Sequence, residues 1–356
     1  MPDQLTVTEA FRLAFDAARQ GPAHGPNPRV GCVLLSDDGA LLATGFHRGA
    51  GTPHAEADAI ANARAAGVDL SGATAVVTLE PCNHTGRTGP CSEALVEAGI
   101  GRVVFAVADP NPRATGGAER LRAASIDVAG PGDLDEAIEA EGRELLRVWL
   151  TSVERGRPFV TLKIASTLDG RIAAADGSSR WITSAESRAH AHALRAEVDA
   201  IAVGTGTALI DDPTLTARHE DGTLAEHQPL RVVVGHRPVP EGARLRGPGG
   251  ELVHVPTHDP AEVLATLHAR EVRHLLVEGG PTLTAAFLRA GLVDELHAYV
   301  APVLVGAGKS AVGDLGITSI DGALRWRPRE MHRLGPDTLV IATPDTHTTS
   351  DNPEES

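Results

Sequence analysis

Four residues in the N-terminal third of the chain have the types and spacing of a hydrolytic metal centre. His54 and Glu56 stand two apart, Cys82 follows Glu80-Pro81, and Cys91 follows Pro90. One imidazole and two thiolates are the three protein ligands that a catalytic zinc takes, leaving a fourth position for water. The thiolates cancel the ion's formal charge, yet the metal still activates that water. Glu56 can face the water without ligating. It would take a proton there and return it to a ring nitrogen and a leaving ammonia. The competing explanation is a structural zinc knuckle. That would need a fourth ligand, which would have to be His84, and it leaves Glu56 unexplained.

A His-x-Glu followed by Pro-Cys and a second Cys is the pattern of zinc deaminases acting on nucleobases. Two residues usually separate the cysteines; here eight intervene, from Asn83 to Pro90. The insert is polar and carries His84, Arg87 and Thr88, and Arg87 and Thr88 suit a substrate phosphate or sugar. Asn27, before Pro28, is either a ligand for a pyrimidine or its ribose, or a turn residue. Cys32 lies in an apolar run and reads as a core thiol. His47, His190, His192 and His297 show no ligand spacing.

These residues need a scaffold, and the first half supplies alternating helices and strands. Val7 to Arg19 has apolar residues at helical spacing. Val30 to Leu35 and Leu41 to Phe46 flank an Asp-Asp-Gly hairpin turn. His54 to Ala66 and Pro90 to Ala98 read as helices ending at Gly67 and Gly99. Ala73 to Leu79 and Arg102 to Ala108 read as buried strands, and Asp133 to Leu150 as one long helix. Arg155-Gly156-Arg157-Pro158 is the best linker. A second α/β series follows, with strands at Phe159 to Ala165, Ala200 to Val203, Leu230 to Val234, Glu251 to Val255, His274 to Val277 and Glu295 to Val305. Helices are expected at Ser184 to Ala196 and Pro260 to Arg270.

The 356 residues suffice for two domains, and 42% are apolar. A net charge of −15 and 3% aromatics disfavour a nucleic-acid binder, but allow a small phosphorylated ligand in a locally basic pocket. Three cysteines make no disulfide framework and suit a reducing cytoplasm. The polar N-terminus has no signal-peptide pattern, and there is no apolar span for a membrane. The segment from Pro344 to Ser356 reads as a disordered tail.

In the second half, Gly204-Thr205-Gly206-Thr207 and Glu278-Gly279-Gly280-Pro281-Thr282-Leu283 each follow an apolar strand. A strand, a glycine turn and a helix N-terminus together cradle an anion. Neither has the third glycine of the dinucleotide fingerprint, so a Rossmann fold is not supported. Arg195 and Arg218 are candidates for a substrate phosphate.

Taken together, the chain resembles the bifunctional riboflavin-biosynthesis enzymes, a pyrimidine deaminase fused to a reductase. The matching stretches are Asn27 to Cys32, His54 to Glu56 and Glu80 to Cys91, where the long cysteine spacing is itself typical of the family. They continue with Leu162-Lys163, Ser166 to Arg171, Trp181 to Thr183, Asp211 to Pro213 and Val277 to Gly280. The resemblance implies an α/β chain: an N-terminal cytidine-deaminase-like three-layer domain over residues 1–151, and a C-terminal dihydrofolate-reductase-like domain over residues 158–343. It implies one zinc per chain and NADPH. The first reaction would hydrolyse the 2-amino group of 2,5-diamino-6-ribosylamino-4(3H)-pyrimidinone 5′-phosphate. The second would reduce the ribosyl group to ribityl. By position, Ala165, Trp181, Thr207 and Asp211 would contact NADPH. The turn of Gly280, Pro281, Thr282, Leu283, Thr284, Ala285 and Ala286 would cradle its phosphates. Ser179, Arg195, Leu215, Arg218 and Glu278 would hold the substrate, joined by Lys163. Where the family often has a small hydroxyl residue after the third strand of this half, Gly235-His236-Arg237 stands, and His236 or Arg237 would meet the 2′-phosphate. A homo-oligomer is the expected assembly. The rival readings are an RNA or nucleoside deaminase with an appended nucleotide-binding domain, and a zinc-stabilised nucleotide sensor.

Overall fold

The computed structural model describes residues 4–84, 89–112 and 114–345. The chain divides into two compact units, Met1–Gly156 and Arg157–Ser356.

The first unit opens with helix α1 (Val7–Arg19), started by a capping box. Glu9 N donates to Thr6 Oγ1 at 3.3 Å, and Thr6 N donates to Glu9 Oε2 at 2.8 Å. Strands β1 (Gly31–Leu35) and β2 (Leu41–Phe46) form the expected hairpin. Helix α2 (Ala55–Ala65), β3 (Thr74–Val77), α3 (Cys91–Glu97), β4 (Arg102–Phe105), α4 (Gly117–Ala123) and β5 (Asp127–Ala129) follow. The sheet order is β2-β1-β3-β4-β5, with β1 antiparallel to β2 and β3 and the last three strands parallel.

Two glycines show how the layers stack. A Cβ on Gly31 would lie 2.0 Å from Ala14 O in α1, and one on Gly45 would lie 2.3 Å from Ala59 N in α2. Gly45 pairs with Cys32, the residue after Gly31. Paired residues share a face and successive residues alternate, so α1 and α2 cover opposite faces of the sheet. The unit is therefore a helix–sheet–helix sandwich, the three layers that the resemblance implies. Its core includes Phe11, Phe15, Leu34, Leu95 and Leu121, all fully buried.

The expected long helix over Asp133 to Leu150 is two helices, α5 (Glu136–Leu145) and α6 (Arg147–Arg155), broken at Leu146, which has φ −95° and ψ 2°. The second helix runs on into the expected linker and ends at Gly156, φ +61°.

In the second unit come β6 (Phe159–Thr167), β7 (Arg171–Ala174), α7 (Ala185–Glu197), β8 (Ala200–Gly204), α8 (Thr205–Ile210), β9 (Leu230–Val234) and β10 (Leu252–Val255). They are followed by α9 (Pro260–His268), β11 (His274–Val277), α10 (Pro281–Arg289), β12 (Glu295–Ala301), β13 (Gly308–Ser310), β14 (Trp326–Leu334) and β15 (Asp337–Pro344). The main sheet has the order β10-β9-β8-β11-β6-β12-β15-β14. The strands from β10 to β12 run parallel, and β15 and β14 close the sheet antiparallel. In such a sheet, ligands gather beyond the carboxyl ends of the parallel strands. β7 and β13 form a separate two-stranded sheet.

Most boundaries shift by one to three residues, as at β6, which runs on to Thr167, and β4, which ends at Phe105. β12 stops at Ala301, before Pro302, four residues short of Val305. Pro344, placed in the tail, is the last residue of β15, and Asp345 N still donates to Arg325 O at 3.0 Å. Residues 346–356, the rest of that tail, lie outside the described residues.

Candidate active sites

In the first unit three chain segments bring the metal-type residues together. His54 is the residue capping α2, Cys91 is the first residue of α3, and Cys82 lies in the loop after β3. His54 Nδ1 is 3.5 Å from Cys82 Sγ and 3.3 Å from Cys91 Sγ, and all three donor atoms lie within 4.8 Å of one another. Zinc–sulfur bonds of about 2.3 Å and zinc–nitrogen bonds of about 2.0–2.1 Å at a tetrahedral angle put nitrogen and sulfur roughly 3.5 Å apart. The donor set and its spacing therefore fit zinc. The Cys82 thiol is drawn down to about 4, first by its hydrogen bond with Cys91 and further by His54. A thiolate is the form that ligates.

Glu56, one residue into α2, is 3% exposed, and burial pushes its carboxyl up. Around it the loops are pinned by hydrogen bonds. Glu80 Oε1 accepts from Ala118 N at 3.0 Å and Oε2 from Asp109 N at 3.3 Å, which ties the Glu-Pro-Cys turn to α4. Ser92 Oγ donates to Asn83 Oδ1 at 2.9 Å, and Ser92 N donates to Cys82 O at 3.1 Å.

Asn27 reaches this pocket through His47. Its Nδ2 is 2.9 Å from His47 Nε2, and His47 Nδ1 is 3.0 Å from Pro53 O. A carbonyl only accepts, so His47 carries its proton on Nδ1 and accepts from Asn27, leaving Asn27 Oδ1 for a ligand. His47 also packs edge-on to His54, with ring centroids 5.3 Å apart. Spacing alone passed over His47 because it contributes through a neighbour and ligates nothing. Asp109, 7% exposed with its carboxyl raised to about 6 by burial, was likewise passed over. Its signal in the sequence was an acid directly after a buried strand. His84 Nδ1 is buried with no hydrogen-bond partner among the described residues. Arg87 and Thr88 lie outside the described residues.

The second unit holds a cavity of about 1450 Å³. Of the residues singled out from sequence, Lys163, Ala165, Ser179, Trp181, Arg195, Asp211, Leu215 and Arg218 line it. Glu278 is not in the lining but grips it from behind. Arg195 Nε and Nη2 donate to its two oxygens at 2.7 and 2.8 Å, and Lys163 Nζ stands 3.5 Å from Oε2. Burial alone would raise the Glu278 carboxyl, yet the charges of Arg195 and Lys163 hold it down to about 2. Arg195 Nη1 also donates to Thr216 O at 3.2 Å, so three of its five donors serve the protein. Arg218 is less committed, donating to Thr216 Oγ1 and Gly222 O. Trp181 is 70% exposed, with Arg188 stacked 4.5 Å over its ring.

Thr207 and the turn from Gly280 to Ala286 lie apart from that lining. A Cβ on Gly280 would stand 3.5 Å from Thr207 Oγ1 and 4.0 Å from Lys309 Nζ, so the two glycine turns meet and Lys309 joins them. Within the turn, the Leu283 and Ala285 side chains are buried, and Thr284 N already donates to Gly280 O at 3.1 Å. The free amides are those of Gly280, Thr282 and Leu283, which suits an anion at the N-terminus of α10.

The Asp-Gly-Arg stretch has a scaffolding part. Asp169 accepts from Thr167 Oγ1 and Gly306 N, both at 2.6 Å, and Arg171 donates to Gly306 O and Ser310 Oγ.

Comparison with known proteins agrees with both halves. Residues 6–107 match the cytidine and deoxycytidylate deaminase zinc-binding region, and residues 158–340 match the RibD C-terminal domain. The riboflavin biosynthesis protein RibD of Mycobacterium tuberculosis is 48% identical over 337 residues, covering 94% of this chain and 96% of that protein. The Escherichia coli protein of the same name is 37% identical over 374 residues, covering 96% and 99%. Among solved structures, the diaminohydroxyphosphoribosylaminopyrimidine deaminase/5-amino-6-(5-phosphoribosylamino)uracil reductase of Thermotoga maritima superposes with a TM-score of 0.84 at 33% identity, covering 95% of this chain and 99% of that one. Acinetobacter baumannii RibD gives 0.85 at 35% identity, covering 96% and 99%. A zinc-type triad on a deaminase sandwich and a reductase unit on the same chain thus share one lineage, and the chain belongs to the RibD family of bifunctional riboflavin-biosynthesis proteins.

Proposed function

We propose that the chain carries out two successive steps on one small phosphorylated pyrimidine. The first hydrolyses the 2-amino group of 2,5-diamino-6-ribosylamino-4(3H)-pyrimidinone 5′-phosphate. The second reduces the ribosyl group of that product to ribityl. The observation that carries the reading is the His54, Cys82 and Cys91 triad with buried Glu56 beside it, on a chain whose other unit holds an Arg–Glu–Lys centre at a cavity.

When bound, zinc supplies the charge that makes water a nucleophile at neutral pH. Glu56 would take one proton from that water and pass it to the ring nitrogen, then carry the second, from the attacking oxygen, to the departing amino group. Asn27 Oδ1 and His84 Nδ1 are free to meet the pyrimidine or its sugar. Arg87 and Thr88 are assigned to the phosphate from sequence alone.

In the second unit NADPH, when bound, supplies hydride. Ala165, Trp181, Thr207 and Asp211 would hold the cofactor, with the amides at the start of α10 available to its phosphates. Ser179, Leu215 and Arg218 hold the substrate. Glu278, fixed by Arg195, keeps the Lys163 ammonium at the cavity wall. Among the described residues no helix is long and apolar enough to cross a membrane. The three free cysteines fit a cytoplasmic setting, since two of them serve the metal only as thiolates.

Mass analysis of the products made from the diaminopyrimidine phosphate, with and without NADPH, tests both steps. Deaminated product alone is expected without NADPH, and ribityl product with it. Glu56→Gln is expected to retain zinc and lose ammonia release by about 10²-fold or more. Full ammonia release in that variant overturns the role of Glu56.

A further inference from the structure

Reduction of the ribosyl group consumes a proton as well as a hydride, and the residues placed above do not supply it. Arg195 and Arg218 keep their protons in any protein. Lys163 is paired with Glu278, its Nζ 3.5 Å from Oε2. His192, also on the cavity wall, holds its Nδ1 proton against Thr216 O at 3.1 Å.

A second pair on that wall has a proton to give. Tyr299 on β12 and His190 on α7 both line the cavity, and Tyr299 Oη is 2.7 Å from His190 Nδ1. Strand register puts Tyr299 beside Ala165 of β6, the position assigned to the cofactor, and His297 beside Lys163. Paired residues share a face and successive residues alternate, so Lys163, Ala165 and Tyr299 lie on one face of the sheet. Lys163 Nζ stands 5.6 Å from the centre of the Tyr299 ring. The ring packs with Ala191 and Leu339, and the residue is 1% exposed. Burial pushes the phenol up, which keeps it protonated, and pushes the His190 imidazole down, which keeps it neutral at pH 7. Lys163, Arg195 and Glu278 face the phenol, and His297 and His332 face the imidazole. Among the described residues the phenol oxygen has one hydrogen-bond partner, His190. With His190 Nδ1 donating, the phenol hydrogen is left for the cavity.

We infer that Tyr299 is the proton donor of the reduction and that His190 resupplies it. Opening the ribose ring moves the glycosidic N–H proton to the ring oxygen and leaves a C1′=N bond. Hydride from NADPH forms the new C–H bond at C1′, and the π pair moves to nitrogen, which takes the phenol proton. His190 passes its Nδ1 proton to the phenol oxygen and takes one from solvent at Nε2, so neither phenolate nor imidazolate forms. The carbon is reduced, the nicotinamide is oxidised, and one solvent proton is consumed in each turnover. The Lys163 charge beside the ring favours the oxygen as its hydrogen leaves. The inference rests on the reading of the second unit as an NADPH-dependent reductase and adds where its proton comes from.

The test uses the full-length protein with NADPH and the deaminated substrate. Tyr299→Phe removes the hydroxyl and keeps the ring, so hydride transfer in a single turnover should slow by about 10²-fold or more. The Kd for NADPH should stay within about twofold, which shows that the site is still folded. His190→Gln keeps a hydrogen-bond partner for the phenol but cannot relay a proton. Its kcat should fall about tenfold with KM for the substrate within about twofold, and imidazole added to His190→Ala should restore part of the rate. Because the chain has a single Tyr, 3-fluorotyrosine supplied in place of tyrosine labels this position alone. Its fluorine resonance should move when the deaminated substrate joins the complex with NADP⁺, since the hydroxyl meets the substrate. Hydride transfer at the unaltered rate in Tyr299→Phe or His190→Gln, or a fluorine resonance that ignores the substrate, overturns the relay while leaving the reductase reading in place. If the unaltered protein forms no ribityl product with NADPH, the reductase reading itself falls.

Discussion

Replacing Glu278 by glutamine should destabilise the second unit by roughly 3 to 5 kcal/mol at pH 7, because it leaves the buried guanidinium of Arg195 and the Lys163 ammonium without their counter-charge. Titration gives a similar size independently. The Glu278 carboxyl sits at about 2 instead of its ordinary 4.5, and that drop is worth roughly 3 kcal/mol. A carboxyl held below its unfolded value stabilises fully above that value and loses the contribution as pH falls through the folded one. The gap between wild type and variant should thus be complete at pH 7, close between about pH 5 and pH 2, and stand at less than half near pH 3. Differential scanning calorimetry reads this as a Tm lowered by about 6 to 20 °C at pH 7 for the transition of the second unit. Replacing Arg195 with methionine in the same chain should recover part of the loss, since the strain lies in the unpaired cation. A fall of less than about 2 °C at pH 7, or an equal fall at pH 3, would refute the ion-pair reasoning.

Two further substitutions test the first unit. Gly31→Ala places a methyl 2.0 Å from Ala14 O, so α1 must shift; a loss of roughly 1–3 kcal/mol is expected, read by thermal denaturation of that unit. Glu80→Gln keeps an acceptor for Ala118 N but weakens the pinning of the Cys82 turn; zinc affinity should fall about 10- to 100-fold, measured by competition with a chelator, with NADPH binding unchanged.

Periodicity read the first unit well where side chains alternate between core and solvent. α1, with Phe11 and Phe15 buried, and the hairpin of β1 and β2 are such elements. The metal triad was legible because ligand chemistry restricts residue types, whatever the fold around them. The break at Leu146 was not legible, because helix-forming residues continue on both sides and only the backbone turns. In the second unit the Arg195–Glu278 pair was hidden as a pair, since its members lie 83 residues apart and meet only through the sheet. His47 was legible only as a histidine without ligand spacing, and Asp109 not at all, because their bonds to Asn27 and Glu80 are tertiary contacts that spacing does not record. β15, with Leu339 buried, had an apolar pattern that went unread, and its partner β14 had none at all.

That last strand is exposed along most of its length and forms one edge of an eight-stranded sheet. A nine-residue edge is long enough to recruit a strand from another chain, the first step towards aggregation. Its sequence works against that. Pro328 lacks an amide hydrogen, the pairing slips between Pro328 and Glu330, and Arg327, Arg329, Glu330 and Arg333 put charge along the rim. An incoming strand would have to bury those charges against a kinked ladder. The composition that disguises β14 as a loop is also what makes this edge a poor template for an added strand.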